Sequence, residues 1–240
     1  MSKFNFESSG YVLHSRRFRE NSLLLDVFTQ RYGRVALIAR RSTAKKKISF
    51  NPYQSFNESY LRWRGKGDLQ NLQSADSIES QTLRKNNLIC GLYCNELLIK
   101  LTARHIPLEG LYLTYRDVVK DLAQAKQPET VLRQFESNLL AELGHAINFY
   151  DDYRTGDELA VAEQYFFHPR VGFSTLAIGE GELKISAAEM ESLRHNDFSF
   201  QATAKLVKNL HARTLAFLMG EKNLNSKDLY RSVQKLHGKT

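Results

Sequence analysis

Leu23-Leu-Leu-Asp-Val-Phe-Thr29, followed after Gln30-Arg-Tyr-Gly-Arg34 by Val35-Ala-Leu-Ile-Ala-Arg40, decides the architecture. Two short runs rich in aliphatic and β-branched residues are joined through Arg31-Tyr32-Gly33, and they read as neighbouring strands with a tight connection. Outward from this pair, Gly10 to Ser15 reads as a preceding strand. Phe56 to Arg64 and Asp68 to Ser74 read as two later ones, joined by the glycine-rich hairpin Arg64-Gly-Lys-Gly-Asp68. Five short strands in about 80 residues, with no helical period among them, fit a small OB-type barrel that closes its edges on itself. Phe28 and Phe56 are expected in its core, because so small a barrel needs large side chains to fill it. Tyr53, Tyr60 and Trp63 fit either the core or a stacking surface.

The charge follows the same division. The chain has 240 residues and a net charge of +8. Residues 1–80 carry 14 Lys and Arg against 7 Asp and Glu, whereas residues 81–240 carry 20 against 19. Val27 to Asn57 holds no acidic residue. A stretch of one sign is the footprint of a phosphate-binding face, and OB barrels bind single strands with such a groove. A solvated basic loop is the alternative for Lys45-Lys46-Lys47.

Beyond residue 80 the period changes to that of helices. Asn86 to His105, ended by Pro107, is the first, and about Glu109 to Ala125 the second. Pro128-Glu129 opens a third that stops at Gly144. Residues 148–183 break the helical period, with a β-hairpin expected from Gln164–Phe167 and Gly172–Leu176. Ser186-Ala-Ala-Glu189 is a capping-box pattern. About Ala202 to Met219 reads as a long helix, and a last one follows Ser226. The expected organisation is therefore α+β: an OB-fold β-barrel over 1–80, then a helical domain over 81–240 interrupted by a small irregular insert at 148–183.

Catalytic and metal patterns fail on inspection. Cys90 and Cys94, the two cysteines, offer two ligands where a structural zinc site needs four, and they read as small buried hydrophobes. Asp151, Asp152, Asp157 and Glu158 do not make a calcium loop, because Tyr153 and Ala162 stand at ligand positions. Gly238-Lys239-Thr240 imitates the end of a P-loop, but Val233 stands where glycine is required. No catalytic residue, metal or cofactor is expected. The longest aliphatic run, Val35–Ala39, is far short of the roughly 20 residues that span a bilayer, so no membrane partner is expected. Without an apolar leader around Lys3, Asn5 and Glu7, and with few cysteines, the expected location is the cytoplasm.

Several stretches resemble the RecO family of bacterial recombination mediators: Tyr11-Val-Leu-His-Ser-Arg16, Glu20 to Thr29, Gly33 to Arg40, Gly91-Leu-Tyr-Cys-Asn-Glu-Leu-Leu98, Pro128-Glu129 with Leu132-Arg-Gln-Phe-Glu136, and Ser226-Lys-Asp-Leu-Tyr-Arg231. The resemblance runs the length of the chain in order. It implies an OB-fold, a helical domain, and an insert that in many members is a four-cysteine zinc finger; here the insert has no cysteine. It implies binding of single- and double-stranded DNA, strand annealing, and work with RecR in loading RecA onto strands coated by single-strand-binding protein, at the nucleoid. The candidate DNA contacts are Arg16, Arg17, Arg19, Arg34, Arg40, Arg41, Lys45, Lys46, Lys47, Arg62, Arg64 and Lys66, with Lys205, Lys208 and Arg213 as an extension. The resemblance also implies that Arg133 receives the carboxylate of that coating protein's C-terminal tail. The residue pattern alone favours an exposed helical arginine paired with Glu129. Two other readings stand beside this one: an RNA-binding OB-fold protein, and a metal-dependent nucleic-acid-processing enzyme using the Asp151–Glu158 cluster.

Overall fold

Five strands, β1 (Phe6–Phe18), β2 (Ser22–Thr29), β3 (Gly33–Arg40), β4 (Asn57–Arg64) and β5 (Leu69–Ser80), close into a barrel in the order β1-β2-β3-β5-β4. The structure is a computed structural model and describes residues 6–40, 53–177, 179–195, 201–220 and 224–226. Strand alternation sends Val12, Leu25, Val27, Val35, Leu37, Ala39, Leu61 and Trp63 into the barrel. The indole N–H of Trp63 donates to Gln70 Oε1 at 2.7 Å, so the largest core side chain keeps its polar end satisfied.

β1 is longer than the alternation of Gly10 to Ser15 predicts, because it serves two neighbours in turn. Phe6 to Tyr11 pairs with β4, and Gly10 to Phe18 pairs with β2. A bulge between Val12 and His14 resets its register and bends it around the barrel. β5 is likewise extended, pairing first with β3 and then along the whole of β4.

Phe28 and Phe56 are buried, as expected, but neither belongs to the cluster that fills the barrel. Phe28 points out of the barrel rather than into it. With Tyr11 it packs on Tyr112 and Tyr115 of a helix, at ring-centroid distances of 5.1–6.3 Å. The helices concerned are α1 (Lys85–Leu101) and α2 (Glu109–Ala123), followed by α3 (Pro128–Glu142). Burial, and then the Glu58 carboxylate, push the hydroxyls of Tyr11 and Tyr112 well above the ordinary tyrosine range, so both stay neutral. α1 lets Phe56 and Leu83 approach at Gly91, where a Cβ would stand 2.7 Å from the Phe56 ring and 2.5 Å from Leu83 Cδ1.

α1 ends before His105, where the sequence placed its end. The Thr102 hydroxyl folds back onto the Leu98 carbonyl, and the guanidinium of Arg34 takes the Thr102 carbonyl at 2.9 Å. The chain then runs beside β3, with an isolated parallel bridge between Arg34 and Arg104.

The chain divides into two compact units, Met1–Phe135 with Lys222–Thr240, and Glu136–Glu221. In the second unit a three-stranded sheet is ordered β7 (Gly172–Ser174), β6 (Gln164–His168), β8 (Leu183–Ser186), and it is followed by α4 (Ala187–Arg194) and α5 (Gln201–Met219). The β6–β7 hairpin matches the expected one. β8 is an additional strand, because Leu183-Lys-Ile-Ser186 is too short to show a period by itself. The capping box at Ser186 and Glu189 is formed. The core of this unit is Leu159, Tyr165, Phe167, Phe173, Ile185, Met190, Leu193, Val207 and Leu210. The expected last helix beyond Ser226 lies outside the described residues.

Candidate nucleic-acid interface

The barrel's outer face can be read directly from strand pairing. Arg16 lies opposite Leu24, Leu24 opposite Ile38, Ile38 opposite Asn71, and Asn71 opposite Arg64. Directly opposed residues share a face. Their sequence neighbours Leu25 and Leu37 fill the barrel, so this row lies outside it. It crosses four strand spacings, a path of about 19 Å. Arg16, Arg40 and Arg64 are exposed, while Leu24 and Ile38 between them are half-buried. In the adjacent row Phe18 lies opposite Ser22, and Ser22 opposite Arg40. The result is a curved, half-apolar surface flanked by guanidinium groups.

The other candidates lie in turns or at a strand end, Arg17 on the face shared by Leu23 and Ala39 and not in the outer row. Arg17, opposite Leu23, is exposed at the end of β1. Arg19, in the left-handed backbone region (φ 55°), places its guanidinium 5.2 Å from the centre of the Phe18 ring. Lys66 is exposed in the β4–β5 hairpin.

Arg34 and Arg62 instead have carboxylate partners. Arg34 donates from Nη1 to both oxygens of Asp26, at 3.0 and 3.2 Å, and from Nη2 and Nε to the Thr102 carbonyl. Arg62 pairs with Asp76 and with Glu7 and lies over the Tyr60 ring. Arg41, Lys45, Lys46 and Lys47 lie outside the described residues. Trp63 is buried, and Tyr53 and Tyr60 are half-buried.

Two residues of this region were not singled out in the sequence. Phe18 sits at the end of β1, where one aromatic among arginines carries no distinguishing pattern. Arg104 reaches Asp26 at 3.4 Å from 78 residues away, a contact with no local signal.

Arg133 is half-buried on α3 between the buried Val131 and Phe135. Its charge and that of Glu129 are both felt by Cys90 of α1. Burial first, and then Glu129, push that thiol up to about 11, with Arg133 opposing. Cys90 is therefore a protonated, unreactive thiol at neutral pH, and Cys94 is fully buried. On α5, Lys205 and Lys208 are exposed, and Arg213 donates to the Gly181 carbonyl at 3.0 Å.

The insert does not fit a zinc ion. It has no cysteine, and no three His, Cys, Asp or Glu side chains converge to hold a metal among the described residues. Its acidic residues serve the loop: Asp152 accepts from the Ser174 hydroxyl and from the backbone N–H groups of Arg154 and Thr175. Phe173, fully buried, packs between Phe149 and Phe167 at 5.8 and 4.9 Å. Among the described residues no helix is long and apolar enough to cross a membrane.

The profile of the family described as Recombination protein O N terminal matches residues 1–81, and that described as Recombination protein O C terminal matches residues 85–205. The chain is 34% identical over 228 residues to the DNA repair protein RecO of Nitrosococcus oceani, covering 94% of this chain and 93% of the relative. It is 31% identical over 223 residues to that of Methylococcus capsulatus, covering 92% and 91%. Against that of Aliivibrio salmonicida it is 30% identical over 221 residues, covering 92% and 93%.

Proposed function

The chain belongs to the RecO family of DNA repair proteins, and on that premise we propose that it is a non-catalytic recombination mediator. Its barrel binds single- and double-stranded DNA and anneals complementary strands. With RecR it helps load RecA onto strands coated by single-strand-binding protein, at the nucleoid in the cytoplasm.

The observation that carries this reading is the row of Arg16, Leu24, Ile38, Asn71 and Arg64 with Arg40 beside it. Exposed guanidiniums spaced across a curved sheet neutralise phosphates and release their counterions, which supplies affinity without regard to base sequence. Annealing needs two polyanions brought together with their bases free. Of the barrel's large aromatics, Phe28, Phe56 and Trp63 are consumed in packing. Aliphatic Leu24 and Ile38 occupy the centre of the face, and they contact a strand without clamping each base in a stack. No acid, base or nucleophile is required for this task.

Arg133 is the residue assigned to the carboxylate at the end of the single-strand-binding protein's tail. A half-buried guanidinium beside apolar side chains suits a C-terminal carboxylate that follows a large hydrophobic residue.

The experiment is annealing of complementary oligonucleotides, bare and coated with single-strand-binding protein. The paired variant Arg16→Glu with Arg40→Glu is expected to lose annealing in both cases. Arg133→Ala is expected to lose it only on coated strands. Annealing unaffected by the paired charge reversal would overturn the reading. Equal competition by matched RNA would move it to RNA.

A further inference from the structure

Asp26 is the point where the barrel face meets the α1–α2 connection. It lies opposite Ala36, in line along β2 with Leu24 and Ser22, and so on the same outer face as Ile38 and Arg40. Two guanidiniums share its one carboxylate. Arg34 holds it at 3.0 Å with a side chain only 11% exposed, whereas Arg104 touches it once, at 3.4 Å, with a side chain 41% exposed. The first arginine matches the carboxylate charge and is locked by the Thr102 carbonyl. The second is surplus positive charge on the face.

Arg104 is also held in place by its backbone. The N–H of His105 donates to the Arg34 carbonyl at 3.0 Å, and the carbonyl of Ile106 lies against Gly33. This connection thus adds a short piece of strand beside the start of β3, where β5, which joins β3 at Ala36, has not yet begun. A fixed backbone with a solvent-facing head and, among the described residues, a single long side-chain contact is what a phosphate ligand needs: little to reorganise and little to displace.

Building on the barrel-face reading, we propose that Arg104 is a phosphate contact of the DNA-binding face, supplied from outside the barrel. Asp26 holds its guanidinium on the track and stands in for the phosphate when no strand is bound. A strand running along β3 from Arg40 toward Arg34 covers about 20 Å and ends at Arg104. Arg34 is a positioning residue here: it keeps Asp26 on the face and ties the connection to β3.

The test is binding of the full-length protein to a fluorescent oligothymidylate across a salt series, for wild type, Arg104→Ala, Arg104→Lys, Arg16→Ala and Arg40→Ala. Loss of one single-strand phosphate contact flattens the slope of log K against log salt by about 0.7. Arg104→Ala is expected to show that flattening and several-fold weaker binding, and Arg104→Lys is expected to keep the wild-type slope. Asp26→Asn, which removes the competitor, is expected to bind several-fold tighter. It also strips Arg34 of its partner, so the exposed Arg104 variants decide the matter if it does not fold. A wild-type slope in Arg104→Ala, while Arg16→Ala and Arg40→Ala flatten it, overturns this inference and leaves the barrel face standing. Flattening by Arg104→Ala alone supports Arg104 and overturns the barrel face. No change in any variant overturns both.

Discussion

The side-chain amide of Asn95 donates to the carbonyl of Leu13 at 2.9 Å, joining α1 to the bulge that bends β1. The same side chain accepts from the Tyr115 hydroxyl of α2, so one buried residue ties a strand and two helices. Asn95→Ala leaves the buried Tyr115 hydroxyl without this acceptor and the Leu13 carbonyl with a long contact from the Ser55 hydroxyl at 3.4 Å, and it is expected to cost about 2–3 kcal/mol in urea unfolding. A loss below about 0.5 kcal/mol, the range of neutral surface changes, would show that the bond contributes little.

Gly33 has φ 62°, and a Cβ placed there would stand 1.9 Å from the Ile106 carbonyl oxygen. Backbone cannot give way as a side-chain tip can. Gly33→Ala is therefore expected to cost about 3 kcal/mol and to weaken DNA binding by releasing Arg104 from β3. Gly67→Ala, at φ 80° with nothing within 4 Å, is the control, with a loss of about 1 kcal/mol. Equal melting temperatures for the two variants would contradict the steric account.

Glu96 of α1 accepts from the backbone N–H groups of Asn225 and Ser226, from the Ser226 hydroxyl, and from Lys100 at 2.8 Å. Burial opposes its ionisation, but Lys100 and these donors outweigh it and pull the carboxyl down to about 2. A folded-state value below the unfolded one stabilises the protein above the ordinary glutamate range, and that stability is lost as pH falls through about 2. Between about pH 4.5 and 2 the wild type should lose more stability than Glu96→Gln in parallel denaturant titrations. Parallel losses would remove Glu96 as the cause.

Phe173 packs on both Phe149 and Phe167 in the core of the insert. Phe173→Ala is expected to cost about 3–5 kcal/mol. Prolonged chelation of the wild type should leave its melting temperature unchanged, and a fall on chelation would reveal a bound ion.

Much of this was legible in the sequence where alternation was clean. β2 and β3, each covered on one side by the barrel core, begin and end within two residues of the runs that announced them. β1 was only half visible, because the bulge at Leu13 shifts its inward-facing set and its early part answers to β4. β8 was missed for its length. For the site, sequence identified the basic third of the chain but could not separate its cations. Asp26 neutralises Arg34 from the neighbouring strand, and Asp76 neutralises Arg62 across the β4–β5 pairing. Both are tertiary outcomes of register, as is the arrival of Arg104 from beyond α1.

If phosphates lie on the outer barrel face, the salt dependence of single-strand binding shows it. With about five arginines and lysines of the barrel in contact, log K should fall against log salt with a slope near −3.5, and Arg16→Ala with Arg40→Ala together should bring it to about −2. A wild-type slope near zero, or one unchanged by the paired substitution, would contradict the account.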